Sequence, residues 1–184
     1  MNEKLKIAVL GLGHVGLPTA LGFAHIGWDV IGTDSDLDKL NLISNGDTPF
    51  YEPGIDQMLE KYLKQGTFKI EKNQVKAIQD AECIFVCVGT PQNDDGSADL
   101  SQLETVAKTI AENIDGYKLI VEKSTTPVTT AASLKRSIQR HMQSRKTKES
   151  KTHVFDEFDV AVNPEFLKEG TAIDDFLNPD RVIV

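Results

Sequence analysis

Three glycines near the N-terminus, Gly11, Gly13 and Gly16, limit the folds open to this chain. They follow an apolar strand pattern at residues 5–10 and lead into residues 15–26, whose apolar side chains recur at helical spacing. A Gly-x-Gly-x-x-Gly turn between a strand and a helix is typical of dinucleotide-binding α/β folds. Gly11 permits the tight turn, Gly13 lets a pyrophosphate approach the backbone, and Gly16 lets the helix pack close to the strand. The turn therefore predicts a bound dinucleotide.

A single carboxylate, Asp34, closes the second strand pattern at residues 28–33. At that position a carboxylate can accept hydrogen bonds from ribose hydroxyls. A 2′-phosphate there would meet a like charge, so Asp34 favours NAD over NADP. His14 lies inside the turn and either contacts the cofactor, responds to pH, or is a helix-start residue without a catalytic role.

The rest of the chain continues to alternate short apolar strands with helices. Further strands are predicted at 67–70, at the sheet edge, and at 84–88, 119–121, 160–162 and 182–184; further helices at 37–44, 55–64, 100–114 and 129–142. Nearly all-apolar strands separated by helices predict an α/β fold: a Rossmann-like, doubly wound, mainly parallel sheet with helices on both faces. The polar segment 143–156 is predicted to be a solvated loop, with a basic patch for an anionic partner as the alternative.

Composition excludes several classes of partner. The 184 residues fit one domain, and their net charge of -8 argues against a nucleic-acid surface. No apolar run is long enough to span a membrane, and the N-terminus leads directly into a strand pattern without a signal peptide, so we expect a cytoplasmic protein. Cys83 and Cys87 share one apolar run without a supporting His or Cys cluster, which predicts two buried thiols and no metal site.

The stretch 163–170, Asn-Pro-Glu-Phe-Leu-Lys-Glu-Gly, is the most distinctive of the C-terminal part. Its two carboxylates, Glu165 and Glu169, follow a predicted strand and a proline. Both could point into one cleft at the carboxyl ends of the strands, where α/β folds bind their ligands. Spacing alone is equally compatible with a capped loop and a surface charge.

Five motifs in order make the chain similar to the UDP-glucose/GDP-mannose dehydrogenase family. They are the glycine-rich turn, TPFYEPG at 48–54, VGTP with DGSADL between 88 and 100, KSTTPV at 123–128 and NPEFLKEGTAIDDFLNPDRVI at 163–183. In this resemblance, the residues YEPG at 51–54 and DGSAD at 95–99 favour UDP-glucose as substrate over GDP-mannose or a UDP-N-acetylhexosamine. The chain departs from the family pattern at His14, where Tyr is usual, and at Thr129, where Gly is typical.

The resemblance implies an enzyme that oxidises the C6 alcohol of UDP-glucose to a carboxylate with two NAD⁺. The implied cofactor contacts are Gly11, Gly13, His14, Val15, Gly16, Asp34, Lys39, Thr90, Thr125 and Glu169. The implied nucleotide-sugar contacts are Glu165, Phe166, Leu167, Lys168 and Glu169. Thr125 and Glu165 are the implied catalytic residues: Thr125 would hold a catalytic water, and Glu165 would be its acid/base partner.

The resemblance also implies that residues 1–184 are an NAD-binding Rossmann-like domain, the N-terminal part of a longer, homodimeric enzyme. The family's central helix, nucleotide-sugar domain and nucleophilic Cys would lie beyond residue 184, and neither Cys83 nor Cys87 aligns with that Cys. We therefore expect residues 1–184 alone to bind NAD but not to oxidise UDP-glucose. The alternatives are a stand-alone NAD-binding module without catalysis, and a dehydrogenase acting on GDP-mannose or a UDP-N-acetylhexosamine.

Overall fold

A computed structural model describes residues 4–124, 130–149 and 157–184 of the chain. Its strands are β1 (Lys6–Leu10), β2 (Asp29–Thr33), β3 (Phe68–Ile70), β4 (Cys83–Val86), β5 (Lys118–Glu122) and β6 (Phe158–Val162). Its helices are α1 (Gly16–Ile26), α2 (Leu37–Ser44), α3 (Ile55–Gln65), α4 (Gln74–Asp80), α5 (Ser101–Asn113), α6 (Thr130–Glu149) and α7 (Ala172–Leu177).

The six strands form one sheet in the order β3-β2-β1-β4-β5-β6, and every neighbouring pair is parallel. Leu10 at the end of β1 lies opposite Thr33 of β2 and Val86 of β4, so the carboxyl ends of these strands meet at one edge. The chain proceeds from β1 outward in one direction and later returns to β1's other side. Open α/β sheets bind ligands where the strand order reverses in this way.

Alternate residues of β1 enter two separate hydrophobic cores. Ile7 and Val9 belong to one cluster, which contains buried residues of α1, α2 and α3. Ala8 and Leu10 belong to the other, which contains buried residues of α4, α5 and α6. Because a strand points successive side chains to opposite faces, these two clusters place helices on both sides of the sheet. The predicted doubly wound, parallel Rossmann-like fold is confirmed.

Apart from shifts of one or two residues at element ends, two predicted segments differ from the structure, and the helices α4 and α7 were not predicted. The loop predicted at 143–156 is wrong for 143–149, which continue α6, while 150–156 lie outside the described residues. Polarity suggested a loop, but long polar side chains are good helix formers, and Arg145 donates a hydrogen bond to the Ile114 carbonyl oxygen at 3.3 Å. The strand predicted at 182–184 is absent: these residues are exposed, and the hydrogen bond found there runs from the Asn163 side chain to the Ile183 carbonyl.

Candidate functional site

The glycine-rich turn is packed tightly at the reversal point of the sheet. Gly11 has φ +93° and its N–H donates to the Thr33 carbonyl oxygen at 2.9 Å. A Cβ on Gly11 would lie 2.6 Å from the Cys87 carbonyl oxygen, and a Cβ on Gly16 would overlap the Gly11 carbonyl. Larger residues at these two positions would push the turn away from β4 and α1.

One side of the turn is open. A Cβ on Gly13 would have no neighbouring atom within 4 Å. Val15, half-buried at the start of α1, makes no side-chain cap for the helix, and the first turn of α1 contains no acidic residue. An uncapped helix start beside an open glycine leaves room and backbone N–H groups for an anion such as a pyrophosphate.

Asp34 joins the turn to the start of α2. Its Oδ2 accepts a hydrogen bond from the Leu12 N–H at 2.7 Å and lies 2.8 Å from the Lys39 ammonium, and its Oδ1 accepts the Asp36 N–H at 3.0 Å. Burial acts to raise the pKa of Asp34, but the hydrogen bonds outweigh it, and the pKa lies below its usual value. The structure thus brings Asp34 and Lys39 together as a fixed anion with a cation beside it.

His14 is exposed on the turn and stacks on a residue of the connector that joins α2 to α3, residues 45–54. The His14 and Phe50 rings are 4.1 Å apart between centroids with an interplanar angle of 30°. The connector therefore contacts the glycine-rich turn through this pair.

The ends of β4 and β5 contribute Thr90 and Lys123. Thr90 is half-buried in the loop after β4, and Thr125 lies outside the described residues. Ser124 joins the two strand ends, because its hydroxyl donates to the Val88 carbonyl oxygen at 2.7 Å. Lys123 is buried, and its ammonium donates to Asn163 Oδ1 at 3.0 Å.

The electrostatics at these strand ends involve Lys123, Cys87 and Glu165. Burial lowers the pKa of the Lys123 ammonium, while Cys87 and Glu165 act in the opposite direction. Burial raises the pKa of the Cys87 thiol to about 12 and that of Cys83 to about 11. The prediction of two buried thiols is confirmed, and both are poor nucleophiles in this environment.

A cavity of about 580 Å³ lies between α1, Lys123 and the C-terminal stretch. Its lining includes Lys123, Asn163, Glu165, Phe166, Leu167 and Lys168. Glu165 is half-buried, and its Oε2 accepts the Leu167 N–H at 2.6 Å. Glu169 is exposed and does not line this cavity. The glycine-rich turn and the buried Asp34 do not line it either. Four of the five predicted sugar contacts thus share one cavity with a buried lysine.

Packing of α7 on α1 contributes two aromatic rings to the lining of this cavity. Phe176 lies edge-on to Phe23, with centroids 5.1 Å apart, and both rings line the cavity. A Cβ on Gly22 would overlap the Phe176 ring, so the missing side chain of Gly22 admits it.

Lys123 and Asn163 are site residues without a predicted role, although both lie in motifs that carry the family resemblance. A lysine at the end of a buried apolar strand was the available signal, because a charge there needs a partner. The partner, Asn163, follows the neighbouring strand β6, and only the strand order reveals that proximity.

The fold and the open turn define a dinucleotide-binding Rossmann domain. The chain belongs to the UDP-glucose/GDP-mannose dehydrogenase family, whose NAD binding domain matches residues 5–184. It is 39% identical over 179 residues to UDP-glucose 6-dehydrogenase TuaD from Bacillus subtilis (strain 168), covering 97% of this chain and 37% of that protein.

Solved structures are similar over the same region. A UDP-glucose dehydrogenase from the hyperthermophilic archaeon Pyrobaculum islandicum superposes with a TM-score of 0.88 at 34% identity, covering 98% of this chain and 40% of that one. A GDP-mannose dehydrogenase from Pseudomonas aeruginosa gives a TM-score of 0.84 at 32% identity, covering 96% and 39%. The chain therefore spans about two fifths of the length of these relatives.

The described residues fit the NAD that this family's domain binds. The open face at Gly13, the uncapped start of α1 and the fixed Asp34 carboxylate match a pyrophosphate and a ribose. Across residues 4–124, 130–149 and 157–184 there is no cluster of three or more metal-ligating side chains. Within those same ranges, no helix has the length and apolar character of a membrane span.

Proposed function

We propose that this chain is the cofactor-binding part of an NAD⁺-dependent nucleotide-sugar 6-dehydrogenase whose substrate is UDP-glucose. The observation that carries the proposal is the cavity shared by Glu165 and the buried Lys123 at the carboxyl ends of the strands. Relatives named UDP-glucose 6-dehydrogenase at 38 and 39% identity support the choice of sugar.

The cofactor would lie across the reversal point of the sheet. The turn from Gly11 to Gly16 and the start of α1 would hold the pyrophosphate, with Asp34 and Lys39 at the adenosine ribose. Bound NAD⁺ supplies the hydride acceptor for oxidation of the sugar alcohol. The predicted contacts at His14, Val15, Thr90, Thr125 and Glu169 belong to the same proposal.

Glu165 and Lys123 would carry out the proton transfer and charge stabilisation in the cavity. Glu165, oriented by the Leu167 N–H, can accept a proton from a water or hydroxyl within the cavity. Lys123 lies close enough to interact electrostatically with Glu165, and a buried cation stabilises negative charge that develops on oxygen. Phe166, Leu167 and Lys168 would line the sugar side.

The test is NADH formation by the full-length gene product with UDP-glucose, GDP-mannose or UDP-N-acetylmannosamine. We expect UDP-glucose to be oxidised with two NADH per sugar. Glu165→Gln should lower kcat at least about 100-fold, because general acid/base catalysis typically contributes that much. Glu60→Gln, which changes an exposed carboxylate of α3, is the matched control and should leave kcat unchanged.

If only GDP-mannose or UDP-N-acetylmannosamine is oxidised, the proposed substrate UDP-glucose is wrong. The absence of NADH with every sugar, despite NAD⁺ binding, would instead favour a binding module without catalysis.

A further inference from the structure

Glu52, in the connector of residues 45–54, is a buried carboxylate whose two oxygens each accept a hydrogen bond from a distant part of the chain. It is 4% exposed. Its Oε2 accepts the Gly170 N–H and its Oε1 the Ala172 N–H, each at 2.8 Å. Burial of a carboxylate is costly unless its oxygens are hydrogen-bonded, and each oxygen here has a backbone donor.

These two bonds fix the junction between the stretch 163–170 and α7. Thr171, at the N-cap position, makes no side-chain cap hydrogen bond to α7; its hydroxyl donates to Asp175 instead. Backbone N–H groups at a helix start need a partner, and Glu52 supplies it from outside the helix. The position of residues 163–170 therefore depends on the connector as well as on β6.

The same connector contacts the glycine-rich turn through the stack of Phe50 on His14. Glu52 follows Phe50 by two residues, so one short segment contacts both the turn and the junction at Gly170. Glu52 does not line the cavity and acts on it only through that junction.

We propose that Glu52 is a positioning residue for the nucleotide-sugar site: it holds Gly170 and Ala172 so that Glu165 keeps its place in the cavity. The inference rests on the proposed function of residues 163–168. Loss of Glu52 should raise KM for the sugar and lower kcat, while NAD⁺ binding at the glycine-rich turn stays intact.

The test is Glu52→Gln in the full-length gene product. Glutamine keeps the size but places an NH₂ group against a backbone N–H, so one of the two bonds is lost. We expect kcat/KM for UDP-glucose to fall about 10- to 100-fold, since small misplacements near a reacting centre have effects of that size. NAD⁺ affinity should fall much less than kcat/KM, because Glu169 is the one proposed cofactor contact beside this junction, and amide hydrogen exchange in residues 163–177 should accelerate. Glu52→Asp, which keeps the charge, should recover part of the activity.

Glu82→Gln is the matched control. Glu82 is exposed, and its Oε2 accepts the Lys6 N–H at 3.0 Å at the opposite, amino edge of the sheet. Glu82→Gln should change neither the kinetics with UDP-glucose nor the amide hydrogen exchange of residues 163–177.

Wild-type kinetics in Glu52→Gln, unaltered exchange at 163–177, or an equal loss of NAD⁺ affinity would each overturn the proposal. If the unaltered protein oxidises no sugar, the proposed function fails separately, and the exchange measurement alone decides whether Glu52 fixes the junction.

Discussion

At the scale of single residues, the Asp34 carboxylate links the glycine-rich turn to the start of α2. It fixes the turn through Leu12 and pairs with Lys39, and its pKa lies below the usual 3.8. Its hydrogen bonds therefore stabilise the folded state at neutral pH and are lost as the pH falls through that lowered pKa. The sequence predicted Asp34 and Lys39 at the ribose, but the bond to Leu12 depends on how closely the turn approaches β2.

We predict that the protein binds NAD⁺ at least about tenfold more tightly than NADP⁺, because the Asp34 anion repels a 2′-phosphate. Asp34→Asn should reduce this ratio, and Lys39→Met should increase it, because the ammonium beside Asp34 partly offsets the repulsion. Calorimetry with both cofactors measures the ratio. Equal affinities of the unaltered protein for NAD⁺ and NADP⁺ would show that Asp34 does not contact the adenosine ribose.

At the scale of elements, most helices and the buried strands could be predicted, but the short helices α4 and α7 could not. Helices α1, α3 and α5 carry apolar residues at helical spacing over 11 to 13 residues. The six residues of α7 are too few to be helical alone, so its structure depends on Glu52 and on Gly22 of α1. Those partners are remote in sequence, which is why neither α7 nor its contribution to the site was visible there.

We predict that Gly22→Ala destabilises the protein by about 1–3 kcal/mol, because the added methyl overlaps Phe176 in a packed interface. The usual effect of Gly→Ala inside a helix is the reverse, a gain of up to about 1 kcal/mol. Denaturant unfolding provides the measurement. Gly116→Ala, whose Cβ would meet no atom within 4 Å, is the control and should be close to neutral. A stabilised Gly22→Ala variant would show that α7 does not pack on α1.

At the scale of the whole molecule, strand–helix alternation was enough to predict the doubly wound sheet, and the three glycines predicted the tight turn after β1. The neighbourhood of Lys123, Asn163 and Glu165 was beyond prediction, because it depends on β6 lying beside β5. The two thiols were correctly placed in the core, and burial holds the pKa of each at about 11 or above.

We predict that residues 1–184 expressed alone bind NAD⁺ but form no NADH with UDP-glucose. Oxidation of an alcohol to a carboxylate requires the intermediate aldehyde to be held, and Cys83 and Cys87 are buried thiols that do not ionise near neutral pH. NADH absorbance and thiol labelling in native buffer are the two measurements. Sustained turnover, or rapid labelling of either cysteine, would contradict the prediction.

The bonds from Glu52 to Gly170 and Ala172 bridge 118 and 120 residues of chain. During synthesis the ribosome delivers the glycine-rich turn, the connector and β4 long before it delivers Gly170. Contacts between distant segments form late in folding, because their loop-closure entropy must be overcome first. A nascent chain can therefore complete its glycine-rich turn early, whereas Glu52 can fix residues 163–170 only after Gly170 and Ala172 have been synthesised.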